Sequence, residues 1–194
     1  MEVLSGQTLG ALLAEHVQRP LGMDDAGFWV PEQQQGRIAE AFRRDPETGA
    51  EVTLLDITRP AIFESGGGGM VSTTMDYARF LQMLLNGGHL GGTRLLGRKT
   101  VELMTSDHLG AIEGPPDMLP PGYGFGLGFA VRRAAGMAPF AGSVGDYYWG
   151  GAAGTTFWVD PAERLIAVLM IQAPGQRQLY RPLFRDLVYA AVTD

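Results

Sequence analysis

A single lysine limits the nucleophilic chemistry that this sequence could perform. A serine nucleophile needs a neighbouring base, and Ser-x-x-Lys is one arrangement that places both side chains on the same face of a helix. Lys99 is the only lysine among the 194 residues, and Leu96 stands three positions before it. The motif is therefore absent. The sequence also contains no cysteine, which excludes a cysteine nucleophile, a disulfide and a zinc–thiolate site.

Other candidate catalytic motifs are incomplete. A nucleophile elbow has the pattern Gly-x-Ser-x-Gly between a strand and a helix. The nearest imitation is Ala141–Gly145, in which Ser143 follows no clear strand and precedes no helix. Asp24 and Asp25 are adjacent carboxylates in a glycine-containing segment, where solvated or hydrogen-bonding roles are commoner than acid–base catalysis. The sequence therefore offers no complete set of catalytic residues.

Two further features could bind a ligand but lack the neighbours that binding requires. Ser65 is followed by four glycines, yet a phosphate-binding loop would need Gly-Lys-Ser/Thr at the point where Met70 stands. His16, His89 and His108 do not have metal-ligand spacing, and we expect surface or loop positions for all three. We therefore predict neither a metal site nor a cofactor.

The composition is that of a globular domain with one sizeable core. Hydrophobic residues make up 45% of the chain and charged residues 19%. The net charge of -6 is spread along the sequence, so we predict no nucleic-acid partner. No stretch is long and apolar enough to span a bilayer, so we predict no membrane partner. The first ten residues lack the charged and apolar regions of a signal peptide, which favours the cytoplasm for the chain as given and leaves the compartment of its source open.

The elements that must position any site begin with a predicted helix. Thr8 is placed to cap it, leucines fall on one face, and Pro20 is expected to end it. Residues 21–60 are rich in Gly, Pro and Gln, which predicts long irregular connections with one short strand around Val52–Leu55.

The strongest helical signal lies in the middle of the chain. Thr73 and Asp76 form a capping-box-like pair in front of an apolar stripe. Asn86 and the two glycines after it tolerate left-handed backbone angles and should end this helix. A shorter helix is predicted at Thr100–Thr105.

Beyond position 120 the periodicity changes to two. From Tyr123 to Val131 large residues alternate with glycine or alanine, which predicts one strand whose bare face is approached closely by another element. Further strands are predicted at Thr155–Val159 and Leu165–Gln172, and a closing helix begins near Pro182. One side of this helix is predicted to be apolar and carries Leu179, Leu183, Leu187, Val188 and Ala191. Helices followed by antiparallel strands and a last helix indicate an α+β fold.

Four segments, taken together and in order, resemble the C-terminal half of class C β-lactamase-like serine hydrolases, a group that includes the family VIII carboxylesterases. They cover nearly the whole chain. The segments are SGQTLGALLAEHVQRPLGM at 5–23, SGGGGMVSTTMDYARFLQMLLNGG at 65–88, PGYGFGLGFAV at 121–131 and WGGAAGTTFWVDP at 149–161.

The resemblance implies a β-lactamase/transpeptidase-like fold that is incomplete. Residues 1–120 would form its helical and irregular part, and residues 121–194 its antiparallel strands and closing helix. The N-terminal strands and the nucleophile helix of the family would be missing, so that a face of 123–131 would lie open. Such apolar exposure favours association, and we expect a complementing N-terminal half or self-association.

The resemblance also implies a site. The family's Ser-x-x-Lys helix and Tyr-x-Asn or Tyr-x-Ser turn precede the first matching segment, and no tyrosine here has Asn or Ser two positions later. The family's third element is Lys-Thr-Gly, commonly Trp-Gly-Gly in its esterases, which matches Trp149, Gly150 and Gly151. By resemblance these three residues bind substrate, and the Ala152 N–H is half of the oxyanion hole. Without the resemblance, Trp149 is interpreted as a half-buried aromatic residue on a strand.

The expected function is therefore acyl transfer from a small ester or β-lactam to water, with the nucleophile absent from this chain. Trp149 in place of lysine removes a cation that could hold a β-lactam carboxylate, which favours neutral esters. We expect no activity without an N-terminal half. The alternatives are a non-catalytic binding or interaction module, and a truncated, inactive homologue.

Overall fold

The computed structural model describes residues 1–112, 114 and 118–193. Within this part of the chain, helices precede an antiparallel sheet, and one helix follows it. The helices are α1 (Glu2–Ser5), α2 (Leu9–Leu13), a π-helical turn (Ala14–Gln18), α3 (Arg19–Leu21), a 3-10 helix (Glu32–Arg37), α4 (Thr74–Leu85), α5 (Arg98–Met104) and α6 (Arg177–Ala190). The strands are β1 (His89–Leu90), β2 (Thr93–Arg94), β3 (Tyr123–Phe125), β4 (Ala130–Arg132), β5 (Tyr147–Gly150), β6 (Thr156–Asp160) and β7 (Leu165–Leu169).

The first long helical stretch begins as predicted but does not end at Pro20. The Thr8 hydroxyl accepts a hydrogen bond from the Ala11 amide and caps α2. The π-helical turn then shifts the bonding pattern, with the Arg19 amide donating to Ala14 O. Pro20 lacks an N–H, and it is tolerated in the first turn of α3 directly after this shift. The helix ends instead at Gly22, which adopts left-handed angles.

The connection after α3 is irregular, as the composition indicates, and the strand predicted at Val52–Leu55 is wrong. The backbone there forms no strand, and a single antiparallel bridge joins Arg44 to Glu51. Asp45 closes this turn by accepting bonds from the amides of Glu47 and Thr48. The Val52 amide donates to Arg43 O at 3.0 Å, and beyond this bond residues 53–55 form no backbone ladder.

Helix α4 follows the predicted pattern closely. Thr73 Oγ1 accepts a hydrogen bond from the Asp76 amide at 3.2 Å, which is half of a capping box. The Asp76 carboxylate does not return to Thr73 but accepts from the Asp25 amide at 2.8 Å, so it fastens the preceding loop to the helix. The apolar stripe of α4 packs into the main core. The predicted helix at Thr100–Thr105 is present as α5, which begins two residues earlier and ends one residue earlier.

Five antiparallel strands form the main sheet in the order β3-β4-β5-β6-β7. The single strand predicted from Tyr123 to Val131 is wrong, because β3 and β4 are two strands of a hairpin. The Gly126 amide donates to Phe129 O at 2.8 Å, and Gly128 has a φ of 101°, so the chain reverses within the glycine-rich repeat. The hairpin is mostly buried, and the face expected to lie open is therefore covered.

Strands β6 and β7 form the predicted hairpin, each slightly shifted or shortened. Its turn is held by Asp160 Oδ1, which accepts bonds from the amides of Ala162 and Glu163. Within the described residues β7 pairs only with β6, so it forms an edge of the sheet. The main core joins both parts of the chain, since Leu21, Leu81 and Phe157 are buried in one cluster. The boundary between 120 and 121 stays a prediction; positions 115 and 116 of the proline-rich loop lie outside the described residues.

Helix α6 closes the fold and contains an unexpected proline. It begins at Arg177, not near Pro182, which lies inside the helix. The side that packs on the sheet carries aromatic residues and an arginine: Phe184 and Tyr189 contact the Trp158 ring, and Arg185 is buried. The leucines on the predicted apolar side of α6 are all exposed, and these residues are Leu179, Leu183 and Leu187. This row is called the α6 leucine stripe below.

Candidate active site

The residues of the Trp-Gly-Gly-Ala sequence lie together at the end of a central strand. β5 pairs with β4 on one side and β6 on the other, and Gly150 lies opposite Thr156. The Gly151 amide extends the ladder by one bond, to Thr155 O at 2.9 Å. The chain then reverses in a tight turn, in which the Gly154 amide donates to Gly151 O at 3.1 Å. Ala152 is the first of the two central residues of this turn.

The Ala152 amide is an unused donor in an exposed residue. Ala152 lies on the surface, and within the described part of the chain its N–H has no hydrogen-bond partner. Its carbonyl oxygen, in contrast, accepts a bond from Arg177 Nη1 at 3.2 Å. An unpaired backbone N–H on a fixed surface turn is a suitable donor for an oxyanion. The oxyanion role of Ala152 stays a prediction, and its geometry leaves the donor available.

Neighbouring side chains of the chain itself occupy the space beside the two glycines. A Cβ added to Gly150 would lie 2.7 Å from Arg181 Cζ, and one added to Gly151 would collide with Thr155 Oγ1. The bare sides of these residues therefore admit Arg181 and Thr155. By resemblance both glycines bind substrate. Their contact with substrate stays a prediction, and the packing is a sufficient reason for glycine at both positions.

Trp149 packs as a half-buried aromatic residue on a strand. Its ring lies edge-on to that of Phe125, with 5.0 Å between the centroids. It contacts both apolar clusters of the molecule. Its carbonyl oxygen accepts a bond from Thr156 Oγ1 at 3.2 Å, which fixes the strand end. This packing fits the interpretation made without the resemblance and leaves part of the indole accessible.

The remaining nucleophile candidates are not assembled into a catalytic group. Lys99 lies on the exposed surface of α5 and pairs with Glu102. Ser143 lies in the loop before β5, where its amide donates to Asp160 Oδ2 at 3.0 Å. A carboxylate bound to the serine amide holds the backbone and does not activate the hydroxyl. No serine–lysine pair is present among the described residues.

Adjacent carboxylates and the glycine tract have structural roles. Arg37 forms a two-bond pair with Asp25, with distances of 2.7 and 2.6 Å. The hydrogen bond from Arg37 lowers the pKa of Asp25, so this residue is a carboxylate at neutral pH and not a general acid. The Gly67 amide donates to Ser65 Oγ at 3.1 Å, and the tract forms a small local turn. Among the described residues no cluster of His, Asp and Glu could hold a metal ion.

A buried charge cluster supports the start of β5, and no pattern in the sequence indicates it. Asp146, fully buried, accepts bonds from Arg132 Nε and Arg185 Nη2, both at 2.7 Å, and from the Tyr123 hydroxyl at the same distance. Burial raises the pKa of Tyr123 well above its ordinary range, so its hydroxyl stays a donor. Asp146 directly precedes β5, and the cluster therefore fixes where the strand begins.

Two arginines of α6 support the other end of β5, and these were also missed. Arg177 reaches the Ala152 carbonyl, and Arg181 reaches the carbonyls of Gly151, Gly154 and Thr155. The signal in the sequence is an arginine at every fourth position of the last helix. That spacing places them on one helix face, but it does not reveal which strand the face meets.

Two surface hollows lie elsewhere, one next to Trp29 and Thr58 and the other next to Met1 and Leu12, and neither includes Trp149–Ala152. None of the helices in the described residues is long and apolar enough to cross a membrane.

Comparison with known proteins gives one family. The family model described as Beta-lactamase matches residues 1–190. Protein Rv1367c of Mycobacterium tuberculosis (strain ATCC 25618 / H37Rv) is 34% identical over 171 residues, covering 83% of this chain and 42% of that protein. Esterase EstB of Burkholderia gladioli is 29% identical over 213 residues, covering 98% of this chain and 51% of the esterase.

A solved structure agrees with these relatives. The structure of EstCE1, described as a hydrolase with promiscuous acyltransferase activity, superimposes with a TM-score of 0.74 at 26% identity. The match covers 97% of this chain and 52% of EstCE1. The chain thus spans about half the length of the proteins that it matches.

Proposed function

The chain belongs to the beta-lactamase family, and we propose that it acts as the C-terminal half of a serine hydrolase that transfers an acyl group to water. Its α+β architecture is the β-lactamase/transpeptidase-like fold, of which it spans about half, as the four sequence segments predicted. The observation that carries the proposal is the Ala152 N–H, which belongs to an exposed residue in a tight turn at the end of β5 and has no partner in the described residues.

In this mechanism an N-terminal half supplies the attacking serine and its base. The serine oxygen bonds to the carbonyl carbon of the substrate while its proton passes to the base, and the carbonyl oxygen becomes an oxyanion. Ala152 N–H donates to that oxyanion, and such a donor contributes about 2.7–4 kcal/mol to the stability of the transition state. The leaving alcohol takes the proton, and water then releases the acyl group by the same steps.

A small neutral ester is the substrate class that we favour over a β-lactam. Trp149 offers an apolar, partly accessible surface beside Gly150, and it carries no charge to pair with the carboxylate of a β-lactam. Two of the matched proteins are named for an esterase and for a hydrolase with acyltransferase activity, which supports an ester substrate.

The partner that we propose is a complementing N-terminal half, with self-association as the alternative. The α6 leucine stripe presents Leu179, Leu183 and Leu187 with 53%, 47% and 63% of their surface exposed. The edge of β7 lies nearby in the fold, since α6 contacts β7. An exposed apolar row beside a free strand edge is a surface that another chain or segment stabilises by covering it.

The proposal is tested by replacing Ala152 with proline in the chain combined with an N-terminal half that carries the Ser-x-x-Lys helix. Arg164 is the only non-glycine residue with positive φ among those described, so Ala152 has the negative φ that proline needs as the first central residue of a turn. The variant loses the N–H and keeps the turn. We expect kcat for a p-nitrophenyl ester to fall on the order of 10²–10³-fold, and Ala152→Gly, which keeps the N–H, to stay near the parent.

Four results would contradict the proposal. Turnover by the 194-residue chain alone, blocked by a serine-directed inhibitor, would show that the site is complete without a partner. Equal kcat for the proline and glycine variants would remove Ala152 from the mechanism. Ligand-dependent thermal stabilisation without turnover of an ester or nitrocefin, even with the N-terminal half, would favour a binding module, and poorly cooperative unfolding of the combined halves would favour an inactive remnant.

A further inference from the structure

Helix α6 directs one arginine at the turn that follows β5. Arg181 Nη2 donates to Gly151 O and also to Thr155 O, the latter at 2.9 Å. Arg181 Nε donates to Gly154 O at 3.4 Å. The guanidinium therefore bonds to carbonyls at both ends of the turn that contains Ala152, and its planar donor fork suits this geometry.

One of these bonds is made to the peptide group that carries the Ala152 N–H. The Gly151 carbonyl and the Ala152 amide belong to the same planar unit, and the structure contains no cis peptide bond among the residues it describes. In a trans peptide the C=O and N–H point in opposite directions. The carbonyl of this unit faces Arg181, inside the fold, and its N–H therefore points away from Arg181, where the Ala152 residue is exposed.

We propose that Arg181 is a positioning residue that fixes and polarises the Gly151–Ala152 peptide so that its N–H is a stronger donor; the inference rests on the oxyanion role proposed for Ala152. A hydrogen bond accepted by a peptide carbonyl withdraws electron density from the amide of the same unit, and each bond in such a chain strengthens the next by about 10–30%. A cationic donor on the carbonyl gives the larger effect.

The charge of Arg181 is not consumed by a carboxylate. No acidic side chain pairs with Arg181 in the described part of the chain, and its bonds go to backbone carbonyls alone. Burial lowers the pKa of Arg181, and the neighbouring Arg177 lowers it further, but an arginine stays protonated at neutral pH. A half-buried cation behind the Ala152 amide therefore also favours negative charge in front of it.

Gly150 gives independent support for a fitted arrangement. A Cβ at position 150 would lie 2.7 Å from Arg181 Cζ and 2.8 Å from its Nη2. The glycine lets the guanidinium approach the strand closely enough to reach the Gly151 carbonyl. Gly150→Ala should therefore displace Arg181 and reproduce the effect of removing its donors.

The first experiment measures the peptide directly and needs no activity. In the uniformly ¹³C,¹⁵N-labelled 194-residue chain, the Gly151 carbonyl carbon and the Ala152 amide nitrogen are both expected to shift upfield in Arg181→Gln. Arg181→Lys keeps a cation and one donor, so its shifts should lie between those of Arg181→Gln and the parent. Gly150→Ala should shift both nuclei in the same direction as Arg181→Gln.

Arg177→Gln is the matched control, because Arg177 lies one turn earlier on α6 and donates to the Ala152 carbonyl, which belongs to the next peptide. It should leave the Gly151 carbonyl carbon and the Ala152 nitrogen near their parent positions. The inference is overturned when Arg181→Gln leaves both nuclei unshifted in a well-dispersed spectrum, or when Arg177→Gln shifts them equally. If Arg181→Gln loses spectral dispersion, Arg181→Lys and Gly150→Ala decide the question.

The second experiment uses the chain combined with its N-terminal half. Arg181→Gln should lower kcat for a p-nitrophenyl ester by about two- to eightfold with KM nearly unchanged. This range corresponds to about 10–30% of the contribution of a whole oxyanion donor. Arg181→Lys should recover part of the loss. An unchanged kcat alongside the expected NMR shifts would refute the catalytic consequence. No turnover by the parent halves would instead refute the function proposed for the site while the NMR result stands.

Discussion

Asp146 joins three side chains from different parts of the chain next to the site. It is fully buried, and two arginines and a tyrosine donate to it. Arg132 and Arg185 share the Asp146 carboxylate, and within the described residues neither arginine pairs with another acidic side chain. The site strand β5 begins at the next residue, so the position of Trp149 depends on this cluster.

Asp146→Ala is expected to destabilise the chain by about 3–5 kcal/mol, because it leaves two buried cations without a partner. The measurement is the free energy of unfolding in urea, followed by circular dichroism. Asp25→Ala is the control: it removes a carboxylate that also binds arginine but at the surface, and it should move the midpoint far less. Equal losses in the two variants would argue against the buried cluster.

Asp45 should make part of the stability depend on pH. Hydrogen bonds, first from the Thr48 amide and then from Gln176 and other donors, lower the pKa of Asp45. A carboxyl whose pKa is lower in the folded state contributes stability that is complete above its unfolded value, near pH 4, and is lost as the pH falls through the folded value. Asp45→Asn should therefore flatten the decline of the urea midpoint below about pH 4. The ion pair of Asp56 and Arg59 is exposed, and this substitution should leave it unchanged.

At the scale of elements, local signals predicted helices better than strands. Helix α4 was predicted correctly because its cap at Thr73 and its apolar stripe lie within the same dozen residues. The hairpin of β3 and β4 was read as one strand because the reversal at Gly126 depends on distant packing: a Cβ there would collide with the Met104 carbonyl. The predicted close approach to the bare glycine face is thus correct, although the strand itself is wrong.

The candidate site was located by resemblance and not by periodicity. Residues 147–150 are three aromatics and a glycine, which do not alternate, so no strand was predicted there from the pattern alone. The partners of Asp146 and the contacts of Arg181 join positions that are 14 to 39 residues apart, and no local pattern specifies them. Only the four-residue spacing of the arginines on α6 is visible in the sequence.

Proline inside α6 should limit the stability of that helix. Pro182 cannot donate the hydrogen bond that the helix interior expects, and proline is about 3 kcal/mol less favourable than alanine at such a position. Part of this is offset, by about 0.4–1 kcal/mol, through the restricted unfolded chain. We expect Pro182→Ala to stabilise the chain by about 2 kcal/mol, measured by thermal unfolding.

Pro20→Ala is the matched control for this comparison. Pro20 stands in the first turn of α3, directly after the π-helical turn, where proline is tolerated. Its replacement should give a clearly smaller gain. A loss of stability in Pro182→Ala would show that the proline ring makes packing contacts that outweigh its missing donor.

At the scale of the whole molecule, apolar surface is distributed unevenly. The sheet side of α6 is filled by Trp158, Phe184 and Tyr189, while the α6 leucine stripe faces outward. The sequence predicted an apolar side for this helix, and the structure places that side away from the core. The proposed association would cover the α6 leucine stripe.

Leu183→Glu is expected to weaken binding of the N-terminal half, or self-association, without unfolding the chain. A charge in the middle of the row would have to be desolvated on contact. Gln178→Glu introduces the same charge at another exposed position of α6 and serves as the control. Sedimentation velocity with and without the N-terminal half distinguishes the variants, and equal association by both would remove the stripe from the interface.

Gly150 and Arg181 also set a limit on how this architecture can change over time. They lie on different elements and share one space, so a side chain added at position 150 would have to displace the guanidinium of Arg181. In a library that randomises both, chains with a large residue at 150 should be enriched in short side chains at 181. Such chains would be expected to keep the fold and lose the cation, and selection for folding would then be separable from selection for catalysis.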